Sequence, residues 1–153
     1  MYLDYWKLAR LPFENDCDPQ FFYRASSHES AVLKLQYVVE QGKGVAVVVG
    51  GHGVGKTYLT RILESELPER CRPFIRLCFP NLEARHMLAL IGRRLGLDEG
   101  QDEVQPDASA DAAAIMTRLE ERLQSLAEEA AHPVLVIDDA HLVATPDVFR
   151  SLA

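Results

Sequence analysis

Cysteine is scarce in this chain of 153 residues, which argues against a disulfide framework or a structural zinc site. Cys17, Cys71 and Cys78 are odd in number, scattered and without a C-x-x-C pair, so we expect packed, reduced thiols. The chain also lacks an apolar run long enough to cross a bilayer, and its first ten residues contain no signal-type apolar segment. These absences favour a cytoplasmic protein.

Basic residues are also few. Sixteen lysines and arginines stand against 23 acidic residues, which gives a net charge of −7 and a pI near 5.2. This charge disfavours a broad surface for nucleic acid, which is therefore not the expected partner, although a local patch is not excluded. Two small arginine groups, expected to be solvated, are Arg70, Arg72 and Arg76, and Arg85, Arg93 and Arg94.

The length and the apolar content of 48% suit one domain with a hydrophobic core. Residues 1–25 are rich in aromatic side chains and are interrupted by prolines, so we expect an N-terminal strap ahead of a main domain at 26–153. That domain is predicted to begin with a helix at 26–41, where Ser26 and Glu29 resemble a capping box.

Short apolar strands alternate with amphipathic helices in the rest of the chain. Residues 45–49, 74–79 and 134–137 are typical of strands, and the first has the unbroken β-branched character of a strand buried on both faces. Helices are predicted from near Gly55 to Pro68, at 81–95 and at 109–131.

The helical spacing also predicts which side chains face the core: Leu59, Ile62, Leu63 and Leu67 in the first of these helices, Met87, Leu88, Ile91 and Leu95 in the second, and Ile115, Leu119, Leu123 and Leu126 in the third. The acidic stretch 98–107 is expected to be a surface loop, and another helix is expected to begin near residue 145. Alternating strands and helices predict an α/β domain with a mainly parallel sheet.

A glycine-rich turn joins the first predicted strand to the helix that follows. Residues 50–57, GGHGVGKT and hereafter the glycine loop, match the phosphate-loop pattern GxxxxGK[ST]. Glycines let successive backbone N–H groups converge on a phosphate, and the following helix adds the positive end of its dipole. Lys56 would bind the β- and γ-phosphates, and the Thr57 hydroxyl would bind Mg²⁺. The predicted nucleotide-binding residues are Gly50, Gly51, His52, Gly53, Val54, Gly55, Lys56, Thr57 and Tyr58.

Two aspartates follow the strand at 134–137. An apolar strand that ends in Asp138 has the form of a Walker B motif, in which the first carboxylate lies beside Mg²⁺. Asp139, the next acid, would orient the attacking water. The pattern is weak alone but strong together with the glycine loop. Together the two motifs predict Thr57 and Asp138 as metal ligands, with Lys56 and Asp139 as catalytic residues. The lack of an NKxD-like motif, which would recognise guanine, favours ATP over GTP as the nucleotide.

Together these motifs resemble the N-terminal part of AAA+ ATPases of the ExeA/GspA type, bacterial ATPases associated with general secretion and related to transposition regulators. The resemblance spans nearly the whole chain and includes Ser27, His28 and Glu29 at a helix start, GGHGVGKT and VLVIDDAHL. In the opening segment it is carried by Tyr5, Trp6, Leu8, Pro12, Phe13, Asp18, Pro19, Phe21 and Phe22. It implies a P-loop NTPase fold of the ASCE/AAA+ type in three α/β/α layers, with ATP and Mg²⁺ as cofactors.

The resemblance also assigns roles to single residues. Asp139 occupies a position that is usually glutamate, and its shorter side chain favours slow hydrolysis or a switch that mainly binds nucleotide. The segment around Pro12, Phe13 and Phe22 is implied to pack near the adenine, with simple covering of the core as the alternative. His28 and His141 are expected to make polar contacts rather than to act as catalysts.

Only fourteen residues follow Asp139. In the family, the sensor-1 strand, an arginine finger and a helical lid come after this point, so the resemblance implies an incomplete fold: a fragment, a truncated product, or a sheet completed by another copy or by another strand order. Because the sensor-1 strand lies between the strands at 45–49 and 134–137 in that fold, its absence is expected to leave strand edges unpaired.

The leading hypothesis is a domain that binds Mg²⁺·ATP, with hydrolysis that is slow or that needs the missing elements. It would couple nucleotide state to a protein partner, such as a secretion or assembly component. Two alternatives stay open: a DNA-associated ATPase regulator of the transposition type, and a nucleotide-binding interaction module without hydrolysis. Homo-oligomerisation also stays open.

Overall fold

The computed structural model describes residues 2–9, 11, 18–78, 83–97 and 112–142. Helices and strands are mixed, and the sheet is small and parallel, in agreement with the predicted α/β class. The chain divides into two compact units, Met1–Leu67 and Pro68–Ala153. Across the described helices, none combines the length and the apolar character that a membrane crossing requires.

The first unit is helical. Its helices are α1 (Tyr2–Trp6), α2 (Ser26–Glu40) and α3 (Lys56–Glu66), with a 3₁₀ turn at Pro19–Phe21. Val32 of α2 packs with Leu59 and Ile62 of α3 in a core, the α2–α3 cluster, with Phe22, Ala31 and Tyr58 partly buried at its edge. All four side chains predicted to face inward after the glycine loop are buried: Leu59, Ile62, Leu63 and Leu67.

The start of α2 differs from the predicted capping box. Ala25 is the N-cap residue, with the extended angles φ −64° and ψ 148°, and no side chain caps the helix. Ser26 is already the first helical residue, so its hydroxyl does not occupy the cap position that the box requires. The helix itself is confirmed, and it ends just before Gly42, which has a φ of 58°.

The strand predicted at residues 45–49 is wrong for this structure. The run has no regular secondary structure and every residue is exposed; Val45, Val47 and Val49 expose 82%, 79% and 89% of their surface. A strand needs a neighbour for its backbone N–H and C=O groups, and no described residue forms a ladder with this run. Its apolar character is therefore not matched by burial.

The second unit contains the sheet. The two strands β1 (Phe74–Leu77) and β2 (Val134–Ile137) pair in parallel, with Phe74 opposite Val134 and Leu77 opposite Ile137. Helices α4 (Ala84–Arg94) and α5 (Ala112–Glu128) lie between them in the chain, as a parallel crossover requires. Short 3₁₀ turns occur at Glu69–Cys71 and Ala140–Leu142.

One core joins this sheet to its helices. It contains Ile75 and Leu77 from β1, Met87, Leu88, Ile91 and Leu95 from the α4 region, and Leu119 and Leu126 from α5. The inward face predicted for α4 is thus confirmed. Leu123 of α5 was expected to be buried but is 43% exposed, because it lies about 40° around the helix axis from Leu119, at the solvent edge of the buried stripe.

Arginines of α5 fix the end of α4. Arg122 Nε donates to Leu95 O at 3.0 Å and Arg118 Nη2 donates to Leu97 O at 2.9 Å. Both carbonyls lie just beyond the last helical residue, Arg94, so the two bonds tie α5 to the turn that follows α4. The predicted loop at 98–107 and the helix expected near residue 145 lie outside the described residues.

Candidate nucleotide-binding site

Two glycines give the glycine loop its shape. Gly53 and Gly55 have φ values of 74° and 87°, in the left-handed region that costs other residues strain. Gly55 is the N-cap residue of α3, and its carbonyl accepts the Leu59 N–H at 2.9 Å. The loop therefore turns directly into the helix.

The loop is also closed on itself. A Cβ at Gly50 would lie 3.0 Å from Val54 Cγ2, closer than side-chain atoms normally approach, so a larger residue at position 50 would require the Val54 side chain to shift. The Lys56 Nζ donates to Gly50 O at 3.1 Å and to Gly51 O at 2.8 Å. An ammonium group has three N–H donors, and no described residue accepts the third.

The first turn of α3 contributes backbone donors next to the loop. The first N–H groups of a helix have no intrahelical acceptors, and Gly55 supplies no side-chain cap to α3. The positive end of the helix dipole adds to the charge of Lys56. Thr57, in the first turn, is exposed. The structure thus places the Lys56 ammonium group and the first amides of α3 at the glycine loop, and their role in binding phosphate stays a prediction.

Side chains from outside the loop support it. His28 Nε2 lies 3.1 Å from Val54 O, which is the polar contact expected of this histidine. The Phe22 ring meets the rings of His28 and Tyr58 edge to face, with centroids 5.9 and 5.3 Å apart, and the Tyr58 hydroxyl donates to Asp18 O. Tyr58 thus contributes its phenol to this support, whereas its role in nucleotide binding stays a prediction. Pro12 and Phe13 lie outside the described residues.

The predicted acidic pair lies in the second unit. Asp138 follows β2, and its N–H donates to Leu77 O at 2.9 Å, which extends the parallel ladder by one bond. Its Oδ1 accepts the Asp139 N–H at 3.1 Å. Asp139 is exposed and has a φ of 49°, and its Oδ1 lies 4.0 Å from His141 Nδ1.

The structure thus gathers Gly50, Gly51, His52, Gly53, Val54, Gly55, Lys56, Thr57 and Tyr58 in the first unit, and Asp138 and Asp139 in the second. The sequence predicted a polar contact for His28 but not its partner, Val54 O, and it did not predict the contact of Tyr58 with Asp18 O. Nothing in the residue spacing signals them, because each joins positions far apart in the chain. The shared metal role of Thr57 and Asp138 stays a prediction.

Known proteins provide an independent comparison. The AAA domain family matches residues 39–153. General secretion pathway protein A of Aeromonas hydrophila is 31% identical over 91 residues, which cover 60% of this chain and 16% of that protein. This chain therefore spans only a small part of that relative's length. No solved structure matches the chain significantly. Because the family match covers most of the sequence and includes both the glycine loop and the acidic pair, the chain belongs to the AAA domain family.

Proposed function

We propose that this chain binds Mg²⁺·ATP through the glycine loop. The observation that carries the proposal is the position of Lys56, whose ammonium group is held by Gly50 O and Gly51 O at the start of α3. This arrangement keeps a positive charge beside the free amides of the first helical turn. Membership of the AAA domain family supports the same ligand.

In this proposal, different residues bind the phosphates, the metal and the attacking water. The third N–H of Lys56 and the backbone N–H groups from Gly55 onward would bind phosphate oxygens, and the hydroxyl of Thr57, an exposed residue, would bind Mg²⁺. The metal would neutralise charge on the phosphates. Asp138 would hold the metal through water, and Asp139 would orient the attacking water.

Calorimetric titration with Mg²⁺·ATP tests the binding. We expect Lys56→Ala to weaken affinity by about tenfold or more, because a charge-assisted hydrogen bond to phosphate contributes roughly 1.5–3 kcal/mol. Lys34→Ala is the matched control, because Lys34 is an exposed lysine of α2, and it should bind as the wild type does. Equal affinity of Lys56→Ala and the wild type would contradict the proposal.

The wider role is proposed from the relative. The name of General secretion pathway protein A assigns that protein to a secretion pathway, and its aligned part is 31% identical to this chain. We infer that nucleotide binding here is coupled to a protein partner, such as a component of secretion or assembly. Pull-down of partners in the presence of Mg²⁺·ATP, with Lys56→Ala as the reference, separates nucleotide-dependent partners from background.

A further inference from the structure

One side chain outside the glycine loop holds a carbonyl of the loop. His28 Nε2 lies 3.1 Å from Val54 O. A carbonyl oxygen only accepts, so Nε2 carries the hydrogen and donates it. The other ring nitrogen, Nδ1, is buried and has no hydrogen-bond partner in the described part of the chain. The Val54 carbonyl is therefore the one polar contact that the described residues give this ring.

This contact has a consequence on the other side of the peptide bond. Val54 O and the Gly55 N–H belong to the same planar, trans peptide unit, so they point in opposite directions. When His28 holds the oxygen, the Gly55 N–H points away from His28. No described residue accepts a hydrogen bond from this N–H, which precedes the first amides of α3.

Packing keeps the imidazole in place. The Phe22 ring lies edge to face against His28, with centroids 5.9 Å apart, and it contacts Tyr58 of α3 in the same way. One turn further along α2, Val32 is 2% exposed in the α2–α3 cluster. His28 thus lies on α2, which packs against α3. The glycine loop leads directly into α3, so it is connected to the same pair of helices.

We propose that His28 is a positioning residue of the phosphate site: its bond to Val54 O keeps the Gly55 N–H directed at the bound phosphate. This inference rests on the proposed nucleotide binding. His28 acts through the peptide unit and touches neither the nucleobase nor the phosphate.

The proposal predicts a loss of affinity that does not depend on the base. His28→Ala should weaken binding of Mg²⁺·ATP and of inorganic tripolyphosphate with Mg²⁺ by the same factor, about three- to tenfold, which is the effect of one hydrogen bond. His28→Gln should restore affinity to within about twofold, because the amide Nε2 of glutamine can donate to the same carbonyl. Both ligands are titrated by calorimetry.

A structural control separates positioning from general loosening. Val32→Ala removes core packing from the same helix without touching the loop. It should lower the melting temperature at least as much as His28→Ala does, yet leave both affinities within about twofold of the wild type. All titrations are made well below the melting temperature of the least stable variant.

Three results would overturn the inference: wild-type affinity in His28→Ala, a loss for Mg²⁺·ATP without a loss for tripolyphosphate, or an equal loss in Val32→Ala. These outcomes are distinct from failure of the proposed function. If the wild type binds neither ligand, or if Lys56→Ala binds as tightly as the wild type, the nucleotide site itself is wrong, and the role of His28 falls with it.

Discussion

The backbone at Asp139 has a conformation that few residue types tolerate. Its φ of 49° is left-handed, a region in which aspartate and asparagine are found more often than other residues with a side chain. The sequence predicts the acid at this position, from an apolar strand followed by two aspartates, but not its backbone angle. The angle matters for testing the residue, because a substitution must change the chemistry without adding strain.

Asp139→Asn meets that condition. The asparagine tolerates the same φ and has nearly the same shape, but it loses the carboxylate that would accept a proton or orient water. In a single-turnover assay with Mg²⁺·ATP, we expect slow phosphate release from the wild type. The release rate of Asp139→Asn should be lower by a factor of at least about 100. Nucleotide affinity should stay within about threefold of the wild type.

Two outcomes of this assay change the conclusion. Equal release rates in the two proteins would remove Asp139 from the mechanism. Binding without any phosphate release from the wild type would favour the alternative of a nucleotide-binding module that does not hydrolyse.

Among the elements, α5 shows how far periodicity predicts burial. The 3.6-residue repeat correctly places Leu119 and Leu126 in the core, and it marks the helix within a few residues of its described bounds, Ala112–Glu128. It fails for Leu123, because the width of the buried stripe depends on the packing of the neighbouring helix. The bonds from Arg118 and Arg122 to the end of α4 are equally invisible in the sequence.

The two leucines form a matched pair for mutation. Leu119→Ala should lower the free energy of unfolding by about 2–5 kcal/mol, because it leaves a cavity in a core position that is 4% exposed. Leu123→Ala, on the same helix and 43% exposed, should lower it by less than about 1 kcal/mol. Urea denaturation followed by circular dichroism measures both, and similar losses would contradict the observed face of α5.

At the scale of the whole molecule, only two of the three apolar runs that were predicted to be strands belong to the described sheet. β1 and β2 pair with each other and pack on α4 and α5, whereas the run at 45–49 is exposed directly before the glycine loop. The run has no charge, no proline and a high β propensity, which are the properties of segments that associate through their edges.

Val47→Lys tests this exposure. Val47 is 79% exposed, so the lysine should change the free energy of unfolding by no more than about 0.5 kcal/mol. Light scattering at increasing protein concentration should also show less self-association for Val47→Lys than for the wild type, because a charge opposes edge pairing. Tyr37→Lys, which adds the same charge on the exposed face of α2, should have a smaller effect on association. Clear destabilisation by Val47→Lys would show that the run is buried in solution.

The arginine groups bear on the DNA-associated alternative at this same scale. Arg85 pairs with Glu83 at 2.9 Å, and Arg76, in the middle of β1, has a buried Nη1 atom without a described partner. The side chain of Arg85 is 47% exposed, as expected of a solvated surface arginine, whereas Arg76 is not the solvated side chain that the sequence predicted. Because the net charge is −7, the chain has less positively charged surface available to DNA than the number of arginines alone indicates.

The sequence by itself determined helices α2 to α5, both strands of the sheet, the glycine loop and the family, because each depends on a pattern confined to neighbouring residues; helix α1, within the segment expected to be irregular, was not predicted. The tertiary structure decided that residues 45–49 form no ladder with any strand in the described part of the chain, that Leu123 faces solvent, and that His28 contacts the loop at Val54 O. Each of these depends on groups that are distant in the chain. A strand needs a partner for its backbone hydrogen bonds, and a buried face needs a surface to pack against, so only the folded chain shows which patterns are satisfied.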